Sequence, residues 1–170
     1  GGNQFSGSYR LGINNDDWRA VTPFHETKLD KVVPTHEYTI GGPIVKNRAW
    51  FFYSYRLNDQ YKTIIGLPDL ARSKLSNPFT VKGTFQLSRN NQLIAYVNKR
   101  EKLQDKRDLG PTTPLSAAYY QSSRNYPWKF EWTSVLSSKL FLDVLAGNWY
   151  NFFPLRPQTE VGGFPVEQFV

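Results

Sequence analysis

The chain has 170 residues with no Cys and no Met, so its length bounds it to about one domain and its composition excludes disulfide frameworks, thiol catalysis and cysteine metal sites. Aromatic residues make up 16% of it, too many for a disordered chain, and its longest apolar run, Ala49 to Tyr53, falls far short of the roughly 20 residues of a membrane-crossing helix. The net charge of +7 is local, because 99–124 carries six cations against three anions while 15–35 carries three against four, which argues against a uniformly basic nucleic-acid binder.

The chain opens mid-pattern at Gly1-Gly2-Asn3-Gln4, without Met and without a visible targeting segment, and reads as a piece of something longer. The first predicted strand is 4–14, where Phe5, Tyr9, Leu11 and Ile13 oppose Ser8, Arg10, Gly12 and Asn14. A polar loop over 15–35 leads to a strand at 36–45, with Tyr38, Ile40 and Ile44 alternating with Glu37, Thr39 and Gly41. Lys46-Asn47-Arg48 then makes a tight turn into 49–64, where Phe51, Tyr53, Tyr55 and Leu57 alternate with Ser54, Arg56, Asn58 and Gln60.

After a second loop at 65–76 comes the clearest period of two. Over 77–88, Phe79, Val81, Phe85 and Leu87 share one parity and Thr80, Lys82, Thr84, Gln86 and Ser88 the other. The turn Arg89-Asn90-Asn91 joins it to 92–106, followed by a third loop at 107–123. In 124–136, Trp128, Phe130 and Trp132 alternate with Lys129, Glu131 and Thr133. Ser137-Ser138-Lys139 turns the chain into 140–153, where Leu140, Leu142 and Val144 oppose Asp143, and 154–170 reads as a loop-like tail. Helical periodicity is absent.

Several of these strands reach 12 residues or more, against a usual length of about 5–6 in soluble sheets. Short turns alternate with long loops, as in outer-membrane barrels, whose tilted strands need roughly 9–11 residues to cross a bilayer. The fold expected is therefore all-β, an antiparallel up-and-down transmembrane β-barrel, with 1–170 supplying a partial barrel of about seven strands. Such barrels close on an even number, so further strands are expected elsewhere.

The parity assigns Phe79, Val81, Phe85, Leu87, Trp128, Phe130, Trp132, Leu140, Leu142 and Val144 to lipid, and Thr80, Lys82, Thr84, Gln86, Lys129, Glu131, Thr133 and Asp143 to the lumen. Trp50, Phe51, Tyr53, Tyr126, Trp149, Tyr150 and Phe152 are expected at the two membrane–water interfaces, where an apolar ring keeps a polar edge wet. The loops 15–35, 65–76, 107–123 and 154–170 are expected outside the cell, with Lys99, Arg100, Lys102, Lys106 and Arg107 at the outer rim as contacts for lipid phosphate. The competing reading is a soluble sheet whose core these aromatics fill, serving as a carbohydrate-binding or adhesion module.

The opening GGNQFSGS resembles the passage from plug to first barrel strand in TonB-dependent outer-membrane receptors. IGGPIVKNRAWFFYSYR, Ile40 to Arg56, and KFEWTSVLSSKLFLDVLAGNW, Lys129 to Trp149, resemble hairpins of the large Oar-like members of that family. The resemblance implies a barrel of about 22 strands around a plug, of which this chain would supply the first third. It implies transport of a large or scarce solute across the bacterial outer membrane. The expected partners are outer-membrane lipid, the protein's own plug and remaining strands, and an energy-transducing protein of the TonB type acting through the plug, with no nucleic acid.

No cofactor is expected, because the chain lacks a phosphate-binding Gly loop and a Gly-x-Ser-x-Gly elbow, and no constellation supports catalysis. His25 and His36 each precede a Glu without a spacing that fixes them on one face, so loop solvation is the better reading than a metal site. Asn14, Asn15, Asp16 and Asp17 offer hard oxygens for Ca²⁺ but lack a spaced ligand order, and a polar strand end is preferred there.

Overall fold

The computed structural model describes residues 2–20, 28–63, 70–158, 160, 161, 164 and 165. Seven long strands run up and down in chain order: β1 (Ser6–Asn15), β2 (Val32–Val45), β3 (Ala49–Thr63), β4 (Leu70–Ser88), β5 (Asn91–Arg107), β6 (Tyr119–Ser137) and β7 (Leu140–Phe152). Each pairs antiparallel with the next, and β8 (Leu155–Pro157) extends the line of β7 by pairing with Tyr119–Gln121 of β6. β9 (Glu160–Val161) and β10 (Phe164–Pro165) form a separate two-stranded pair. The sheet is open rather than closed into the expected barrel, with β1 and β7 as its edges.

Four of the strands, β2, β4, β5 and β6, are longer than the sequence reading made them, while β1, β3 and β7 are each one residue shorter. β4 begins at Leu70 rather than 77, β6 at Tyr119 rather than 124, and β2 at Val32 rather than 36. A bulge between Ser76 and Phe79, at Asn77-Pro78, shifts the side-chain parity and so hides the first half of β4 from a period-two search. The tail expected to be a loop contains β8, β9 and β10, too short to show a pattern. The loop expected at 65–76 therefore shrinks to a six-residue connection between Thr63 and Leu70 that lies outside the described residues, as does His25 in the first loop.

The three tight turns fall at one end of the sheet and the long connections at the other, as expected. In the first turn the Arg48 N–H donates to the Val45 carbonyl at 3.1 Å, and Asn47 takes a φ of 63°, which asparagine tolerates better than most residues. The N-terminal segment is fastened to this turn. The Asn47 N–H and the Trp50 indole N–H donate to Asn3 Oδ1 at 2.9 and 3.2 Å, and the Phe5 ring lies over Gly42.

A Cβ on Gly42 would meet Phe5 Cδ1 at 2.5 Å, so Gly42→Ala must displace that ring. The expected result is a loss of about 1 kcal/mol, on the scale of one hydrogen bond, together with faster hydrogen exchange at the Asn47 amide. Unchanged protection of Asn47 would show that Phe5 does not hold the segment in place.

Candidate functional site

The candidate site is the sheet itself, because cross-strand register sorts its side chains into two faces of opposite chemistry. Residues directly opposite one another share a face. One row runs Ile40↔Tyr53↔Val81↔Val97↔Trp128, and the next toward the turns runs Phe51↔Gly83↔Ala95↔Phe130↔Ala146. A third runs Ala49↔Phe85↔Leu93↔Trp132↔Val144. All ten residues assigned to lipid keep the parity of this face except Leu87, which sits in the bulge between Gln86 and Ser88 without a cross-strand partner.

The opposite face carries Ser8↔Thr39↔Ser54↔Thr80↔Asn98 and, nearer the turns, Gln86↔Gln92↔Thr133↔Asp143. Lys82 pairs through Tyr96 with Lys129, and Thr84 through Ile94 with Glu131, so register gathers on one face all eight residues assigned to the lumen. The face is not purely polar, for Trp50, Phe52 and Leu145 stand on it as well.

The edge strands β1 and β7 are exposed on both faces, but along β6 burial follows the faces in the sense opposite to a soluble sheet. Along β6, Trp128, Phe130 and Trp132 are exposed while Lys129, Glu131 and Thr133 between them are half-buried. Among the described residues the buried hydrophobic side chains are Ala49 and Ala118, whereas the buried polar ones are Asn98, Gln121 and Ser123 on the polar face, Asn15 at the end of β1, and Ser134 on the apolar face opposite Leu142. Polar side chains of the central strands therefore crowd together on the face opposite the exposed rings. A set on the order of ten large apolar side chains, each about half exposed, forgoes on the order of 10 kcal/mol of burial energy in water, comparable to the whole stability of a soluble domain.

Hydrogen bonds hold the polar face together. The Asn98 amide nitrogen donates to Asn77 Oδ1 and Thr80 Oγ1, each at 2.6 Å, and to the Phe79 carbonyl at 3.1 Å. Gln121 accepts from Arg107 Nη1 at 2.7 Å and donates to Ser123 at 2.6 Å. Glu37 stands between Arg56 at 3.1 Å and Arg10 at 3.7 Å, and Lys129 meets Glu131 at 3.0 Å. Buried oxygens of Asn58, Asn98 and Asn125 have no hydrogen-bond partner.

Register divides the residues expected at the interfaces. Phe51, Tyr53, Tyr126, Tyr150 and Phe152 stand on the apolar face, but Trp50 and Trp149 stand on the polar one, because consecutive aromatics in a strand must alternate. Sequence reasoning missed a tyrosine row on the apolar face: Tyr9 lies 4.8 Å from Tyr38, and Tyr38 lies 5.7 Å from Tyr55, between ring centres. Counting outward from the turn at 46–48, which sets Tyr38 opposite Tyr55, would have found two of them.

The basic set is divided in the same way. Lys99 follows Val97 on the apolar side, whereas Arg100 and Lys102, opposite Asn125 and Ser123, stand on the polar side. Arg107 turns to Gln121 and to the ring of Phe153, and Lys106 occupies a bulge with a φ of 50°. The five therefore do not form one outward cluster.

The acidic strand end is occupied with closing its own loop. Asn15 Oδ1 accepts from the Asp17 and Lys31 N–H groups at 3.0 and 3.2 Å, Asn15 Nδ2 donates to Asp30 at 2.7 Å, and Asp16 pairs with Arg19. His36 Nδ1 lies 3.1 Å from the Tyr9 hydroxyl. Among the described residues no group of three or more His, Asp or Glu side chains is placed to hold a metal ion.

The fold and its site define a class: an all-β, antiparallel up-and-down sheet of long strands with one apolar, exposed face and one polar, more enclosed face. Comparisons with protein-family models, with curated proteins and with solved structures found no match.

Proposed function

We propose that this chain is part of an outer-membrane β-barrel of the TonB-dependent transporter type, in which the apolar face meets lipid and the polar face lines a lumen filled by a plug. The observation that carries the reading is the alternation along β6, with Trp128, Phe130 and Trp132 out and Lys129, Glu131 and Thr133 in. Dimensions agree with it. The ten steps from Leu140 to Tyr150 on β7 span about 33 Å, or about 25 Å once the strand tilts by about 40°, which matches the apolar band of such barrels.

Hydrocarbon supplies no partner for backbone N–H and C=O groups, so the free edges of β1 and β7 require further strands before the sheet can enter a bilayer. Those strands would close the barrel. The transported solute would pass along the polar face, with energy delivered to the plug by a TonB-type partner. The long connections at 16–31 and 108–118 would face the cell exterior, and the tight turns the periplasm.

Reconstitution tests this. Refolded with phosphatidylcholine vesicles together with the strands that close its barrel, the chain is expected to become resistant to protease over its strands and to be released only by detergent. A monomer that stays in water without detergent and binds oligosaccharide through its exposed rings would replace this reading with the soluble carbohydrate-binding one.

A further inference from the structure

Toward the end of the sheet that bears the long connections, a charged group interrupts the apolar face, between Val97 and Trp128 on one side and Leu103 and Tyr120 on the other. The register that runs from Val97↔Trp128 to Arg100↔Asn125 sets Lys99 beside Tyr126 and Glu101 opposite Arg124. Lys99 Nζ lies 2.8 Å from Glu101 Oε1, and Arg124 Nε approaches the same oxygen at 3.9 Å. Lys99 Nζ also stands 5.9 Å from the centre of the Tyr126 ring. Two cations therefore converge on one carboxylate oxygen, and the group keeps a net positive charge.

The two contacts differ in kind. At 2.8 Å the lysine makes a charge-assisted hydrogen bond, whereas at 3.9 Å the arginine Nε is beyond hydrogen-bond distance of the same oxygen and is held by charge alone, its guanidinium facing solvent. That side chain is 54% exposed and stands on the same face as Tyr126 and Trp128, opposite Phe152 and short of Tyr120 in the same row of β6. A planar guanidinium beside an ammonium matches the oxygens of a phosphate, the first bidentate and the second as a point charge. Arg100 and Lys102, on the other face, do not contribute.

We propose that Lys99, Arg124 and Tyr126 form a binding site for the phosphate of a lipid headgroup, with Glu101 holding the two cations together and limiting their affinity. The site rests on the membrane reading above, since it places the phosphate where an apolar band gives way to water. The shared carboxylate gives a test with a sign. Removing its charge by Glu101→Gln frees both cations and strengthens binding, an effect that a misfolded variant would not imitate.

The experiment measures phosphatidic acid retained by the protein in detergent micelles, by native mass spectrometry, against phosphatidylcholine. The protein is expected to prefer phosphatidic acid, the Lys99→Ala/Arg124→Ala double variant to bind it roughly tenfold or more weakly, and Glu101→Gln to bind it several-fold more tightly. Millimolar inorganic phosphate is expected to leave the lipid bound. Wild-type retention by the double variant, or weaker retention by Glu101→Gln, overturns the site. Displacement by inorganic phosphate overturns the lipid as its ligand. Insertion of the closed barrel into phosphatidylcholine vesicles, scored separately by protease protection, separates the two readings: insertion without a phosphatidic acid preference defeats the site alone, and failure of the closed barrel to insert defeats both.

Discussion

Replacing Phe130 by arginine is expected to destabilise the bilayer-inserted protein by roughly 2–4 kcal/mol, the cost of a cation on the lipid face near the midplane. Phe130 is flanked by Ala95 and Ala146 and stands halfway along the apolar row of β6 between Tyr126 and Ser134. Its cross-strand neighbours are too small to shield the charge, and the ring that packs edge-on against Phe130, that of Trp128 at 5.8 Å between centres, is itself exposed. Three residues on, Thr133 stands on the polar face between Gln92 and Asp143, where an added arginine meets a carboxylate. Thr133→Arg is therefore expected to stay within about 0.5 kcal/mol of wild type, as substitutions away from packed or lipid-facing positions do. Denaturant titration in vesicles gives both values, and equal costs at the two positions would mean that the faces do not differ in environment.

The second large effect is expected at Asn98. Its side chain is 1% exposed and its nitrogen reaches three acceptors on β4, so it ties β5 to the strand across from it at the level of the β4 bulge. Leucine there removes these contacts and leaves Asn77 Oδ1 without its donor in a half-buried place, while Asn77 Nδ2 still donates to Thr80 Oγ1 at 3.2 Å. The expected cost is about 2–3 kcal/mol, since an orphaned buried polar group loses its full solvation. A soluble sheet with an apolar interior would gain from leucine at so buried a position. An unchanged or higher denaturation midpoint for Asn98→Leu would count against a polar inner face.

The fold class was legible because period-two alternation over long segments is a strong signal, and β5 and β7 emerged within one residue of the ends assigned to them. The faces were legible for the same reason: once parity is known in one strand, a three-residue turn transfers it to the next. What stayed hidden was whatever breaks parity. Pro78 and the bulge beside it concealed the start of β4, and β8 is three residues long. The aromatic runs 50–53 and 149–150 were read as clusters, although adjacent residues in a strand cannot share a face. The pairing of Lys99 with Arg124 was invisible for another reason, since it depends on the register between β5 and β6, whose connection of eleven residues fixes no register by its length. Asn98 gave no signal because a lone asparagine in a strand looks solvated until its neighbours are known.

The account's central claim is that the two faces meet different media, and single-cysteine labelling tests it most directly, because the natural chain contains no cysteine. Cysteine is introduced in turn at Val81, Ala95, Phe130 and Val144 on one face, and at Thr84, Glu131, Thr133 and Asp143 on the other. The protein, refolded into vesicles with its barrel closed, is then treated with a membrane-impermeant maleimide. The predicted result is labelling at the second set and protection of the first until detergent is added. Labelling of both sets alike, or protection of the second with labelling of the first, would contradict the assignment of lipid to the aromatic face.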